Sequence, residues 1–263
     1  MPAPATPKPL PVKSAGPPSD AGDRVGENRR SRVAAFSRTA AELYRDVPLL
    51  RRLMMRYRPY ICPFHLVFDH VALAAGGSGA VHADSADRRA RVLDIGCGAG
   101  LLLNLLASEG AGLDAVGVDL SRGAIAAAQR AAEHHPPGMP GSLRFIAQAA
   151  QDPWPAGPFD AVTIVDLLHH LPSSAQPEVV QRAAQHVAPG GRLIVKDMYA
   201  DRLLRPAANR LHDLVMAGDW ISFPSPSEII AASTSAGLRL IERRRVDTLW
   251  YGHELFAFER TRA

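Results

Sequence analysis

Large apolar side chains recur at helical spacing near the start of the chain and in short continuous runs further on. Val33, Phe36, Ala40 and Leu43 predict a helix beginning near Ser31, and Leu49, Leu50, Leu53, Met54 and Tyr57 predict a second. Pro59 and Pro63 punctuate this stretch, and Phe64 to Ala75 reads as a third short helix ended by Gly76-Gly77. From Arg91 onward, short apolar strands alternate with helices. Arg91 to Ile95 is a nearly continuous apolar run, the pattern of a strand covered on both faces. Leu101 to Ser108 reads as a helix, Ala115 to Val118 as a strand, and Ser121 as the N-cap of a helix running through Ala132. Strands are expected at Leu143–Ala147, Ala161–Val165 and Arg192–Lys196. A helix from Pro177 to Val187 is expected to stop at Pro189-Gly190-Gly191. Helices at about Ala207–Ala217 and Ser227–Ala236, with strands at Leu238–Arg243 and Glu254–Phe258, complete the pattern.

Alternating strand and helix predicts an α/β fold, a doubly wound and mostly parallel open sheet with helices on both faces. Ligands of such sheets bind beyond the carboxyl ends of the strands. Three regions are expected. Residues 1–28, rich in Pro, Ala, Gly and Ser, have too few large apolar groups to offset ordering entropy and read as a disordered tail. Residues 29–78 form an N-terminal helical lid. Residues 85–263 form the α/β domain, with a helical insertion at about 198–225.

Composition narrows the class. The chain has 263 residues, 47% of them hydrophobic and 21% charged, as in an ordinary globular protein. Its net charge of +4 is spread over interleaved Arg and acidic residues without a like-charge block, which gives nucleic-acid binding little support. No stretch reaches the ~20 apolar residues of a membrane span, and prolines interrupt the N-terminus where a signal peptide needs an apolar core. Cys62 and Cys97 form no C-x-x-C pair, so reduced thiols and a cytoplasmic location are expected. No metal site is predicted.

The chemistry begins at Val92-Leu93-Asp94-Ile95-Gly96-Cys97-Gly98-Ala99-Gly100. Three glycines directly after the first strand let the backbone turn tightly and let a ligand approach the main chain. A dinucleotide fingerprint would need glycine at 101, where Leu101 stands. The pattern G-x-G-x-G therefore suits a ligand with no pyrophosphate to place against the helix. The second strand ends in Gly117-Val118-Asp119-Leu120-Ser121. The Asp119 carboxylate at its tip can accept both hydroxyl hydrogens of a ribose in charge-assisted bonds.

With these elements in place the sequence resembles the class I S-adenosylmethionine-dependent methyltransferases of small-molecule type, over roughly residues 88–198. Val92 to Gly100 is similar to that family's first motif and Val118-Asp119 to its second. Phe159 to Val162, through Asp166 and on to Leu171, is similar to its fourth-strand motif, and Val187 to Leu193 to the turn before its fifth strand. The resemblance implies a Rossmann-like sheet of seven strands with the last antiparallel, and S-adenosyl-L-methionine as cofactor. It places Asp94, Gly96, Cys97, Gly98 and Gly100 at the methionine part, Asp119 at the ribose and Leu120 at the adenine, with Asp166 also at the cofactor. Many members carry an acid after the third strand for the adenine amino group. Ala149 stands there, leaving Gln148, a backbone group or Asp152 to substitute.

Methyl transfer needs alignment of a nucleophile and exclusion of water, and a base where the acceptor must lose a proton. His169, His170 and Asp197 project from the ends of the fourth and fifth strands and are the catalytic candidates; Lys196 reads as structural or solvent-facing. Adjacent histidines point in different directions, so at most one is expected to face the acceptor. The basic amphipathic stretch from Arg45 to Phe64 reads as a lid whose Arg stems cover apolar surface, or as a helix resting on a membrane or an acidic carrier protein. Tyr199, His212, Met216 and Trp220 in the insertion, with Trp250, Tyr251 and His253, would border an aromatic acceptor pocket. The expected acceptor is a small, largely apolar molecule, carrier-bound or lipid-like in some readings, methylated on oxygen. Alternatives are C-methylation of a quinone or polyketide-like acceptor, RNA or protein methylation, and a non-catalytic cofactor-binding module. The sequence Asp166-Leu167-Leu168-His169 is not the Asn/Asp-Pro-Pro-aromatic signature that RNA or protein methylation would carry.

Overall fold

A computed structural model of the chain describes residues 20–74, 89–110, 112–199, 222–248 and 252–262. The expected helix at 207–217, the pocket residues His212, Met216, Trp220, Trp250 and Tyr251, and the first 19 residues of the expected tail lie outside them.

Helices α1 (Asp20–Leu43), α2 (Leu49–Ile61) and α3 (Phe64–Ala74) precede β1 (Ala90–Ile95). Then follow α4 (Leu101–Ser108), β2 (Leu113–Asp119), α5 (Arg122–Ala132), β3 (Gly141–Ala147) and β4 (Phe159–Val165). A 3-10 turn at Leu168–His170, α6 (Gln176–Gln185), β5 (Val187–Met198), α7 (Pro226–Ser235), β6 (Leu238–Asp247) and β7 (Gly252–Arg260) complete the order. The seven strands form one sheet in the order β3-β2-β1-β4-β5-β7-β6. The pairs from β3 to β5 are parallel, while β7 runs antiparallel to both β5 and β6. This is the Rossmann-like doubly wound sheet with an antiparallel last strand that was expected. Among the described residues no helix is long and apolar enough to cross a membrane.

The period of two along each strand divides the core between the sheet's faces. Val92 joins a cluster with Leu101, Leu102, Leu105 and Ile125, whereas Leu93 and Ile95 join Val162, Ile164, Val180 and Ile229 on the other side. Phe36, Tyr44, Phe64, Val67 and Phe68 of the N-terminal helices belong to the first cluster. Helices α1 to α3 thus share the domain's core. The buried Tyr44 hydroxyl donates to Ala99 O in the glycine turn at 2.5 Å, tying the helices to that turn.

Two boundaries differ from expectation. Helix α1 begins at Asp20, within the stretch read as a disordered tail. Strand β5 starts at Val187 and continues through Pro189-Gly190-Gly191, which was expected to be a turn outside it. A register shift reconciles the two. Phe159 pairs with Val187 and Ala161 with Arg192, so the Pro-Gly-Gly step is taken up as a bulge, with Gly190 at φ +75°.

Candidate functional site

The carboxyl ends of β1, β2 and β4 converge on the turn between β1 and α4. Gly96 N and Cys97 N both donate to Val118 O, at 2.8 and 3.0 Å, which fastens the turn to the tip of β2. Gly98 N donates to Asp119 Oδ2 at 2.8 Å, and Ser121 N to Asp119 Oδ1 at 2.8 Å. Gly98 has φ +55°, and a Cβ there would meet nothing within 4 Å, so the glycine leaves an open concavity beside the main chain. Gly100 is required by packing: at φ +73°, a Cβ would sit 2.6 Å from the Phe145 ring and 2.7 Å from Ala128.

A cavity of about 200 Å³ opens over this turn. Its floor is Asp94, Gly96, Cys97, Gly98 and Asp119, with Ala99, Leu101 and Leu102 alongside. Val165, Asp166, Leu167 and His170 form the β4 side, and Met55, Arg58 and Phe64 reach over from α2 and α3. Hence Asp94, Gly96, Cys97, Gly98, Asp119, Asp166 and His170 of the sequence candidates line one cavity, while Gly100 lies outside its lining.

Other candidates lie elsewhere. Leu120 is 74% exposed and outside this lining. So are Gln148, whose amide donates to Pro153 O at 3.3 Å, and Ala149, whose N–H donates to Asp152 Oδ2 at 3.0 Å. His169 and Asp197 are buried and also outside the lining, with Nδ1 and Oδ1 2.5 Å apart. Asp197 Oδ2 accepts Leu168 N at 2.8 Å, so this carboxylate braces the turn that carries His170. Gln176 braces it from behind, its amide donating to Leu168 O at 2.9 Å and to Ser222 O at 2.8 Å. The histidine rings lie 4.0 Å apart, yet only His170 reaches the cavity. His253 is buried, with Nε2 3.0 Å from Ile61 O.

Sequence reading missed the charge cluster at the carboxyl end of β4. Lys196 is fully buried, with Nζ 2.6 Å from Asp166 Oδ1 and 3.2 Å from Cys62 Sγ. Arg58 of α2 approaches Asp166 Oδ2 at 3.3 Å. Asp166 itself has φ +53°, a conformation that few non-glycine residues adopt and that Asp tolerates better than most. Burial alone would raise the Asp166 carboxyl, but Lys196 and then Arg58 hold it well below the usual range. Burial, aided by Asp166, pushes the Cys62 thiol up to about 12. Burial, with Asp94 and Asp119 nearby, also raises the Cys97 thiol well above its ordinary value, so neither cysteine is poised as a nucleophile.

Burial pushes Asp94 up to about 7, with the Thr163 hydroxyl, 2.6 Å away, opposing the shift. The sign has two consequences. Because the folded value lies above the unfolded one, stability from this group is full below pH ~4 and is lost as pH rises through about 7. A ligand bearing an ammonium beside Asp94 favours the carboxylate, so its binding below pH 7 releases a proton and weakens by up to about tenfold per pH unit. S-adenosylhomocysteine, which carries such an ammonium, is expected to bind at least about tenfold more weakly at pH 5.5 than at pH 8. Asp94→Asn should flatten that slope. Calorimetry in buffers of different ionisation heat reads both affinity and proton release, and a pH-independent wild-type affinity would refute the assignment of Asp94.

The residues fit the cofactor implied by the glycine turn. The Gly98 concavity admits a ligand against the main chain. Asp119 retains acceptor capacity beyond the two backbone N–H groups it already holds, since a carboxylate offers about four lone-pair sites. Fold and site thus define an α/β domain with a cavity over the glycine turn at the carboxyl ends of its first two strands.

Comparison with known proteins gives the family. Residues 68–243 match the family model described as a methyltransferase domain, and the chain belongs to that family. It is 35% identical over 167 residues to the ubiquinone biosynthesis O-methyltransferase of Methylococcus capsulatus, an alignment covering 60% of this chain and 66% of the relative. It is 32% identical over 157 residues to the protein of that name from Coxiella burnetii, covering 57% and 64%. The chain therefore spans slightly less than two thirds of the length of these relatives. Among solved structures, the magnesium protoporphyrin IX methyltransferase of Synechocystis PCC 6803 superposes over 92% of this chain and 94% of its own. The TM-score is 0.56 at 20% identity, a likeness of fold.

Proposed function

We propose that this chain transfers the methyl group of S-adenosylmethionine to an oxygen of a small, largely apolar acceptor of phenol type, such as a quinone precursor. The observation that carries the reading is His170, which lines the cavity together with the apolar side chains Met55, Phe64 and Leu167. Burial, then the neighbouring His169 and Arg58, lower its pKa from the ordinary histidine value, against the pull of Asp197 and Asp166. At neutral pH the ring is therefore unprotonated and able to take a proton from a phenol. The names of the relatives point to the same chemistry, since both are O-methyltransferases of ubiquinone biosynthesis.

The bound donor supplies a methyl group already activated on a sulfonium. The residues of this chain supply the rest. Asp119 and the Gly98 main chain hold the adenosyl part, and Asp94 holds the amino group. Met55 and Phe64 exclude water above the turn, and His170 takes the acceptor proton. Arg58 reaches Asp166 from α2 and keeps that helix over the cavity.

A panel of catechols and phenols with a labelled methyl donor tests the acceptor class, with O-methyl ethers as the expected product. His170→Ala should lower turnover by about 100-fold or more while leaving affinity for S-adenosylhomocysteine within about twofold. Unchanged turnover in that variant would remove His170 as the base, and a carbon-methylated product would overturn the oxygen assignment.

A further inference from the structure

Helix α2 turns its largest apolar side chains away from the protein. Met55 and Pro59 are its buried residues, and Met55 also lines the cavity. Leu49, Leu50, Leu53, Met54, Tyr57, Tyr60 and Ile61 are all exposed, Leu49 and Leu50 by 70% and 73%. At 100° per residue these seven fall on one continuous face opposite Met55 and Pro59. An inward-facing helix of a globular protein carries the reverse arrangement. Such an uninterrupted exposed apolar face marks an interaction surface.

Charge says what covers it. From Val47 to Phe68 there is no acidic residue, while Arg51, Arg52, Arg56 and Arg58 all lie within α2. Arg51 donates to Gly123 O and Arg58 pairs with Asp166, so those two are engaged with the body of the protein. Arg52 and Arg56 flank the apolar face on one side, both exposed, with Arg56 lying over the Tyr57 ring. A second copy docked by the same face through a two-fold axis would set arginines against arginines, which disfavours self-association. A convex face of apolar side chains, tyrosines and flanking arginines matches the headgroup and acyl boundary of a bilayer.

We infer that α2 is an interfacial helix that docks this protein on the surface of a membrane containing anionic lipid. Leu49, Leu50, Leu53, Met54 and Tyr57 enter the boundary and Arg52 and Arg56 meet lipid phosphates. The helix is about 20 Å long, enough to lie in the interface plane and too short to span. Because Met55 and Arg58 of the same helix wall the cavity, docking sets the cavity's roof directly against the bilayer. The inference does not depend on which acceptor is methylated.

Flotation of the full chain with vesicles tests it. Vesicles of phosphatidylcholine mixed with phosphatidylglycerol should carry the protein up the gradient. Phosphatidylcholine alone should bind it about tenfold less, and high salt should release it from the mixed vesicles. Arg52→Glu with Arg56→Glu should lower binding to mixed vesicles by about tenfold or more, and Leu50→Glu with Leu53→Glu should abolish it. All four side chains are exposed or at the helix surface, so the thermal unfolding transition should remain in both double variants. Absence of wild-type binding to mixed vesicles, or binding that the variants leave unchanged, would overturn the inference. So would a dimer in sedimentation equilibrium that Leu50→Glu with Leu53→Glu dissolves, since a second copy would then cover the face. Binding acquired only when residues 201–220 are deleted, or capture by an acidic carrier protein in place of vesicles, would also overturn it.

Discussion

Lys196→Ala is expected to destabilise the protein by about 3–5 kcal/mol, because it strands a buried carboxylate. The Lys196 ammonium is wholly out of water, and its closest anionic partner is Asp166 Oδ1 at 2.6 Å. Burial by itself would lower the Lys196 pKa, but Asp166 and Cys62 beside it reverse that, and it is held above its ordinary value. Removing the ammonium leaves Arg58, at 3.3 Å and partly in solvent, as the nearest cation to Asp166 among the described residues. The pair itself need not be a large net stabiliser, since taking two charges out of water costs about as much as their attraction returns. Lys196→Met combined with Asp166→Asn should therefore be clearly more stable than Lys196→Met alone, a difference that a mere packing role for Lys196 would not produce. The pH dependence follows from the signs. Asp166, depressed in the folded state, contributes stability above pH ~4 that is lost as pH falls. Lys196, raised, contributes stability below pH ~10 that is lost as pH rises through its folded value. In urea unfolding, the deficit of Lys196→Ala relative to the wild type should therefore stay level between these limits. The deficit of Lys196→Ala should shrink as pH falls below about 4, where Asp166 can take up a proton.

Asp119→Ala should weaken S-adenosylhomocysteine binding by at least about tenfold. A hydrogen bond to a charged group is worth about 1.5–3 kcal/mol, and the carboxylate stands to accept two ribose hydroxyls. The same oxygens hold Gly98 N and Ser121 N at 2.8 Å each, so alanine also loosens the turn against which the ligand lies. Asp119→Asn keeps one acceptor oxygen but loses the charge, and should fall between the two. Equilibrium dialysis reads the affinities, with the thermal transition as the control for folding. A change below about twofold in Asp119→Ala would place the ribose elsewhere.

The donor half of the site was legible because its signals are local. A strand, three glycines and a helix follow one another within Ala90–Ser108, and Leu101–Ser108 forms over the residues its pattern predicted. Ser121 likewise caps α5, its hydroxyl accepting Ala124 N at 3.2 Å. Lys196 was not legible, because its burial arises from two strands and a helix far apart in sequence. Parallel pairing sets Val165 beside Lys196, which brings Asp166 within reach, and α2 then adds Arg58 and, just past its end, Cys62. No periodicity in one segment encodes such a meeting. His169 and His170 could not be told apart for a related reason. Asp197 and Gln176 fix the 3-10 turn and decide which ring faces the cavity, and both come from other elements. The apolar residues of α2 were read as lid or membrane candidates because a helical wheel gives a face and leaves its direction open. Only the packing of Met55 and Pro59 shows that the leucines point outward.

The central claim is that the glycine turn and Asp119 form a methyl-donor site rather than a dinucleotide site. Calorimetric titration of the wild-type chain with S-adenosylhomocysteine and, separately, with NAD tests it most directly. Saturable one-to-one binding of S-adenosylhomocysteine in the micromolar range, with no heat from NAD, is the predicted result. Silence with S-adenosylhomocysteine, or binding of NAD at comparable affinity, would contradict it.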